Sequence, residues 1–390
     1  MSLLSEHKPP DSSSLPLEEQ IVRLQALLEA SRLVHSTIDL GRVLRAAVRI
    51  AVLELEMEAA FFTEPRIEFG NLPDTFDGDN LPRFPLLARD GSLLSELVVI
   101  PANGRELSIY EIDFLEGLVL QTALAAENAA NHKRLLEYAR VSQDLDAARA
   151  IQLNLLPQAM PAIPGYSLSA RSIACYQVGG DYLDVVIEPS GSHLFVVADV
   201  AGKGLASALV STAFRSAFRA LARDFLPLEE LAARLSQQHY DEGPEARRRY
   251  VTAIFLRFHP TYGNLEFLNA GHNPAVLFSS SEAPATLIDA SGTPLGLLPG
   301  ATYKMQRASF PPGARLLLYT DGLTEFFKGE VEFGIDRLVE AFSAANPSSA
   351  EAALDAIWSS LGQFTSDAAQ QDDMTAIALC RLGATFEEKA

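Results

Sequence analysis

The longest stretch of this 390-residue chain without glycine or proline covers residues 118–156. Both residue types disfavour helix, so their absence, together with apolar residues at helical spacing, predicts one long helix that begins near Ser108. About forty helical residues would extend about 60 Å, which is more than one compact domain needs. The chain is therefore expected to contain two or three folded parts with a helix between them, in agreement with its length.

Composition places the protein among soluble globular proteins, with 48% hydrophobic and 21% charged residues. A formal net charge of −19 argues against general binding to a nucleic-acid backbone. Two cysteines, Cys175 and Cys380, are too few for a disulfide framework or a Cys-x-x-Cys zinc site. The first residues lack the pattern of a signal peptide, and no apolar run approaches 18 residues. We expect a cytoplasmic protein without membrane contact.

The part before the long helix is predicted to be a small α+β domain. Residues 1–16 carry three consecutive serines and three prolines, which predicts a disordered tail. Apolar residues at three- and four-residue steps from 17 to about 55 predict two helices. Short apolar runs separated by Asp-Gly and Asn-Gly turns then predict antiparallel strands. We place this domain at residues 17–130 and a helical linker at residues 131–160.

From residue 161 to residue 385 the pattern changes to strands separated by turns. The predicted strands are rich in β-branched and aromatic residues: YSLSARSIACYQV, HLFVVADVA, YVTAIFLRF, GNLEFLNA, PAVLF, ARLLLYT and MTAIALCRL. Two pairs of helical segments interrupt them, one beginning at residue 204 and the other at GIDRLVEAFSAA. Strands in runs with grouped helices favour an α+β layered fold over a parallel βαβ sheet.

Four aspartates lie at or near predicted strand ends, each beside a small turn residue or another aspartate: Asp181, Asp199, Asp321 and Asp372. A rigid sheet can direct such side chains into a shared mouth. An aspartate beside glycine is also a common turn, so each one alone has a structural explanation. Together, without histidine or thiolate beside them, they suit hard cations such as Mg²⁺ or Mn²⁺. Two such ions can assist an in-line displacement at phosphorus.

Rival phosphate chemistries do not fit the residues. A thiol phosphatase needs arginine six positions after its cysteine, where this chain has Asp181 after Cys175 and Phe386 after Cys380. A Walker loop needs glycine at the position of Val197, and no Gly-x-Ser-x-Gly elbow is present for an acyl-transfer serine.

From about residue 149 to residue 382 the chain resembles the metal-dependent protein phosphatase 2C family, in its bacterial SpoIIE/RsbU-like branch. The motifs that carry the resemblance occur in this order: RAIQLNLLP, VGGDYLD, ADVAGKGLASA, NAGHNP, PLG, YTDGLTE and DDMT. The resemblance implies an αββα sandwich, in which two antiparallel sheets lie between outer helices. It also implies two Mn²⁺ or Mg²⁺ ions as cofactors and hydrolysis of phosphoserine or phosphothreonine in a partner protein.

The resemblance assigns roles to particular residues. Asp181 and Asp199 would lie between the two ions, and Asp321 and Asp372 would complete the first site. The main-chain carbonyl of Val200 resembles the backbone ligand of the family. In the DDMT motif Asp372 matches the ligand and Asp373 its neighbour.

The roles of three further residues stay open. Lys203 stands where many relatives have histidine, so no general acid is assigned. His272 matches a family motif, although a structural role in its turn is favoured. Arg171 either contacts phosphate or is an ordinary strand arginine.

Residues from about 20 to 135 resemble a GAF sensory domain, chiefly through PLLARDGSLLSELVVI and the helix that follows. In the linker, Tyr138, Val141, Leu145 and Ala148 follow the spacing of a coiled-coil seam. The helix is therefore either a homodimer seam or one amphipathic helix lying on its own domain. As a seam, it would pass a signal to the metal site through Ile151, Leu153 and Leu156.

We therefore expect a serine/threonine protein phosphatase that is regulated by its N-terminal sensor domain. By resemblance, its substrate is a STAS-type anti-sigma-factor antagonist. The alternative is a phosphatase fold that has lost catalysis and serves as a signalling scaffold. The presence of all four acidic ligands weighs against that alternative.

Overall fold

The computed structural model describes residues 25, 28, 30–72, 80–280, 282–346, 348–365 and 368–383. The predicted tail at residues 1–16 lies outside them. The chain divides into two compact units, residues 1–142 and residues 143–390. Among the described helices, none combines the length and the apolar character that a membrane span requires.

The first unit is a four-stranded antiparallel sheet with helices on one face. Its elements are α1 (Leu40–Glu54), β1 (Met57–Phe62), β2 (Ile67–Gly70), β3 (Arg83–Leu87), β4 (Leu93–Pro101) and the first part of α2 (Ile109–Leu155). The strand order is β2-β1-β4-β3. Asp39 caps α1 by accepting a hydrogen bond from the Arg42 N–H at 2.8 Å. Val48 of α1, Phe62 of β1 and Phe114 of α2 share one buried core. This α+β arrangement is compatible with a GAF domain, and that identity stays a prediction.

The long helix α2 has 47 residues. It begins one residue after Ser108 and ends two residues before Pro157, close to the predicted limits. Its buried side chains lie between Glu111 and Ala129.

The second unit contains two five-stranded antiparallel sheets. Its elements are β5 (Tyr166–Ile173), β6 (Tyr182–Ile187), β7 (His193–Val200), α3 (Leu205–Leu221), α4 (Leu228–Asp241), α5 (Pro244–Arg247), β8 (Val251–His259), β9 (Asn264–Ala270), β10 (Ala275–Phe278), β11 (Thr286–Ile288), β12 (Gln306–Ser309), β13 (Arg315–Tyr319), β14 (Phe327–Lys328), β15 (Val331–Glu332), α6 (Gly334–Ala344), α7 (Ala350–Thr365) and β16 (Met374–Arg381). One sheet has the order β11-β10-β13-β16-β5 and the other β12-β9-β8-β7-β6. Strands β14 and β15 pair with each other.

Alternating side chains along each strand build the layers of the second unit. In β8, Ile254 packs into the core between the two sheets, whereas Phe255 packs against helices α3 and α4. Leu316 and Leu317 of β13 divide in the same way between the inter-sheet core and the side of α6 and α7. Both faces of each sheet are thus covered, which confirms the predicted αββα sandwich.

Candidate metal centre

The two sheets bring several strand ends to one mouth. Strand β7 ends at Val200, where it pairs with Val251, and β13 ends at Tyr319, opposite Ala376 of β16. The Thr320 hydroxyl, directly after β13, donates to Asp181 Oδ2 at 2.7 Å, directly before β6. This hydrogen bond joins the first sheet to the second at the edge where the predicted site residues lie.

Asp181 is the most enclosed of the four predicted aspartate ligands, with 8% of its surface exposed. Burial raises the pKa of its carboxyl group well above the ordinary value, and the nearby carboxylates of Asp199 and Asp373 raise it further. The Thr320 hydrogen bond opposes this shift because it stabilises the charged form.

Asp199 and Asp321 also have raised pKa values. Burial raises the pKa of Asp199 to about 7, and the carboxylates of Asp321, Asp372 and Asp373 add to the effect. Burial likewise raises the pKa of Asp321 to about 6, with further contributions from Asp372 and Glu325. Carboxylates raise one another's pKa values only when they lie close together. The aspartates therefore lie near one another. We call Asp181, Asp199, Asp321, Asp372 and Asp373 the acidic cluster.

Asp372 faces the loop that follows β7. Its Oδ2 lies 2.8 Å from the ammonium nitrogen of Lys203, which also donates to the Gln371 carbonyl oxygen at 2.6 Å. Positive φ angles at Gly202 (101°) and Gly204 (77°) allow the tight turn that presents Lys203 between them. Lys203 therefore brings a positive charge to the edge of the acidic cluster.

Asp373 has a supporting role that the sequence did not reveal. It is buried, and its two carboxylate oxygens accept hydrogen bonds from the N–H groups of Cys175 (2.7 Å) and Gly180 (2.6 Å). A Cβ atom on Gly179 would lie only 2.6 Å from Asp373 Oδ2, so this approach requires glycine. In the sequence, only the two adjacent glycines of VGGD indicated that another group approaches this loop closely.

The Val200 carbonyl oxygen faces the same loop. It would lie 3.2 Å from a Cβ atom on Gly180, directly before Asp181. Its position beside the acidic cluster is compatible with the predicted role as a backbone ligand.

His272 and Arg171 have partners that favour structural roles. The imidazole Nδ1 of His272 lies 2.8 Å from the Thr252 hydroxyl, and burial lowers the pKa of His272 to about 4, so the ring is neutral at pH 7. Arg171 lies 2.5 Å from the carboxylate of Asp355 and over the ring of Trp358, both on α7.

The donor types of the acidic cluster suit a hard divalent cation. Mg²⁺ and Mn²⁺ prefer carboxylate and carbonyl oxygens, and a cation would offset both the burial and the neighbouring negative charges that raise the pKa values of Asp199 and Asp321. Within the part of the chain that the structure describes, no three His, Cys, Asp or Glu side chains are already placed around a common ion position. The chemistry of the donors thus fits, and the assignment of ligands and ions stays a prediction.

A cavity lies within the first unit. A groove of about 1010 Å³ runs between β3 and α2, with Phe84 and Leu87 on one side and Ile112 and Leu120 on the other. All of its lining residues belong to the first unit.

The αββα layers of the second unit are the fold of PP2C-type phosphatases, which depend on metal ions. Residues 189–382 match the family model described as Stage II sporulation protein E (SpoIIE). These residues make up most of the second unit, which therefore resembles a SpoIIE-type PP2C phosphatase domain.

Two relatives and one solved structure show how far the similarity extends. Protein IcfG of Synechocystis sp. is 27% identical over 264 residues, 61% of this chain and 41% of that protein. Phosphoserine phosphatase RsbP of Bacillus subtilis is 27% identical over 188 residues, 47% of this chain and 45% of that protein. The chain thus matches less than half the length of either relative. The SiaA-PP2C domain of Pseudomonas aeruginosa has the same fold, with a TM-score of 0.55 and 20% identity over 62% of this chain and 97% of that chain.

Proposed function

We propose that the protein is a serine/threonine protein phosphatase whose second unit hydrolyses phosphoserine or phosphothreonine with the help of two Mn²⁺ or Mg²⁺ ions. One observation carries the proposal. Five aspartates from separate segments of both sheets lie close enough for their carboxylates to raise one another's pKa values. So many carboxylates in a partly buried mouth are costly without a compensating cation.

The chain's own residues would hold and orient the ions. Asp181, Asp199, Asp321, Asp372 and the carbonyl oxygen of Val200 are the proposed ligands. Thr320 fixes the orientation of Asp181 by donating to Oδ2. When bound, the ions neutralise negative charge on the phosphoryl group and its attacking and leaving oxygens.

Asp321→Asn tests the proposal because it removes one charge from the acidic cluster with little change in volume. We expect the parent to release phosphate from a phosphoserine peptide in the presence of Mn²⁺ and the variant to lose most of this activity. Asp289→Asn, an exposed aspartate outside the acidic cluster, is the matched control and should keep it. Equal and negligible rates in all three proteins would favour the alternative of an inactive signalling scaffold.

For the substrate we propose a phosphorylated signalling protein, with a STAS-type anti-sigma-factor antagonist as the specific candidate. The similarity to RsbP, which is named a phosphoserine phosphatase, supports phosphoserine as the group that is hydrolysed. Purified phosphorylated antagonist should lose its phosphate to the parent and keep it with Asp321→Asn.

For the first unit we propose a GAF-like sensory role, with homodimerisation along the linker. The side chains of Tyr138 and Val141 are 73% and 57% exposed, while Leu145 and Ala148 are half-buried, so one chain leaves much of the predicted seam uncovered. Of the three residues predicted to carry the signal, Leu156 packs against the core of the second unit, whereas Ile151 and Leu153 are exposed.

The oligomeric state tests the seam. The parent should sediment as a dimer, and a Tyr138→Glu and Val141→Glu double variant as a monomer. A parent that is monomeric at every concentration and fully active would remove both the dimer and its regulatory role.

A further inference from the structure

A glutamine near the end of α2 contacts the loop that leads into the acidic cluster. Gln152 Nε2 donates to the Gly179 carbonyl oxygen at 2.7 Å, and the Gly179 N–H donates to Gln152 Oε1 at 3.1 Å. The amide therefore pairs with both polar groups of one residue, as a neighbouring strand does in an antiparallel ladder. A helix side chain thus supplies the backbone partners of Gly179.

The residues next to this contact belong to the acidic cluster. The N–H of Gly180 donates to Asp373 Oδ2 at 2.6 Å, and Asp181 is the next residue along the chain. Two consecutive glycines lose more conformational freedom on ordering than other residues, so their position depends strongly on such contacts. A shift at Gly179 would therefore move both Asp181 and the partner of Asp373.

The end of α2 is itself held in place. The Arg215 guanidinium, on α3, donates through Nε to the Leu155 carbonyl oxygen at 2.8 Å. Leu156 packs against the core between α3 and its sheet. Gln152 is half-buried and projects from a fixed helix end, which limits the positions its amide can take.

We propose that Gln152 is a positioning residue: its amide sets the position of Gly179 and so places Asp181 and Asp373 for cation binding. The inference rests on the proposed phosphatase function for its catalytic consequence. Gln152 acts through the backbone of Gly179 and the carboxylates that follow.

Gln152→Met in the full chain removes the amide and keeps the length of the side chain. We expect the affinity for Mn²⁺, measured by calorimetry, and kcat with p-nitrophenyl phosphate to fall about 10- to 100-fold, as for partners that orient metal ligands. The KM should change less than kcat, and the thermal midpoint should stay close to that of the parent. Hydrogen exchange at the Gly179 and Gly180 amides should become faster.

Gln158→Met is the matched control. The Gln158 amide donates to the carbonyl oxygens of Leu153 (2.9 Å) and Leu156 (3.1 Å), so it also bonds the backbone near the end of α2. Its removal should leave Mn²⁺ affinity, kcat and exchange at Gly180 unchanged.

Gln152→Glu is a second test, because a carboxylate facing the Gly179 carbonyl oxygen should lower Mn²⁺ affinity as well.

Unchanged Mn²⁺ affinity and kcat in both Gln152 variants would overturn the inference. The inference would also be overturned if Mn²⁺ affinity and kcat fell only in proportion to a smaller fraction of folded protein. If the parent releases no phosphate, the phosphatase proposal fails, while Mn²⁺ titration and amide exchange still decide the role of Gln152. If the parent binds no Mn²⁺ either, slower or equal exchange at Gly180 in Gln152→Met would reject the positioning role, and faster exchange would support it.

Discussion

At the scale of single residues, the acidic cluster is a group of charges held together against their repulsion. Asp199 is the last residue but one of strand β7, and its neighbours Asp321, Asp372 and Asp373 come from the opposite sheet. Hydrogen bonds from Thr320 to Asp181 and from Gly180 to Asp373 offset part of the cost of burial. The remaining cost makes the stability of this site sensitive to protons and to cations.

The raised pKa values predict how stability depends on pH. Asp199, with a folded pKa of about 7, and Asp321, with a folded pKa of about 6, bind protons more tightly in the folded chain than in the unfolded chain. In a chelator, these two groups should therefore lower the free energy of unfolding as pH rises from about 4 to about 7, because the folded state must release these protons, and the lowered pKa of His272 opposes part of this fall. Thermal unfolding across this range measures the effect.

Divalent cations should reverse this trend, because Mn²⁺ binds the deprotonated carboxylates of the folded state. Asp199→Asn should flatten the dependence measured in chelator, since one of the shifted groups is gone. A stability that rises steadily over the same pH range in chelator would contradict the assigned shifts.

At the scale of elements, an ion pair with a buried carboxylate fixes α3 on its sheet. Arg219 of α3 donates through Nε and Nη2 to both carboxylate oxygens of Asp184 on β6, each at 2.6 Å. The Tyr182 hydroxyl donates to the same carboxylate. The Asp184 side chain has 0% exposure, whereas that of Arg219 has 42%. Helix α3 follows the Lys203 loop directly, so this pair also supports the edge of the acidic cluster.

Arg219→Met should be strongly destabilising, because it leaves the Asp184 carboxylate buried without its cation. We expect a loss of about 3 kcal/mol in the free energy of unfolding, at the low end for a broken buried pair because Arg219 is partly exposed. Arg234→Met is the control, since it breaks an exposed pair with Glu230 on α4 and should cost less than about 0.5 kcal/mol. Urea unfolding of both variants measures the difference, and equal losses would contradict the prediction.

The types of most elements could be predicted from local pattern. The strands around HLFVVADVA and MTAIALCRL appear as β7 and β16, and the long helix ends where Pro157 approaches. Strand β6 was not predicted, although it follows VGGD directly. The short strands β11 and β12 were missed since three or four residues give too little periodicity.

At the scale of the whole molecule, the chain consists of two units with separate cores. The first core gathers α1, β1, β4 and the first part of α2, and the second unit has cores between its sheets and under its outer helices. A unit with its own core can in principle fold alone. We predict that residues 143–390 fold without the rest of the chain.

This fragment should show a cooperative thermal transition and retain near-ultraviolet dichroism from its packed aromatic side chains. Its Mn²⁺ affinity should be close to that of the full chain, because the contact between Gln152 and Gly179 is included. A fragment that lacks fixed tertiary structure would show that the second unit depends on the first.

By itself, the sequence determined the α+β class, the strand-end positions of Asp181, Asp199, Asp321 and Asp372, and the oxygen-ligand chemistry they favour. Only the tertiary structure decided which distant residues form hydrogen bonds. Asp373 accepts one from Gly180, 193 positions away, and Asp181 accepts one from Thr320, 139 positions away. Gln152 pairs in the same way with Gly179. Local propensity and periodicity act over a few residues and define strands and turns. Contacts between distant residues depend on how two sheets and a helix pack, which no single segment of the chain encodes.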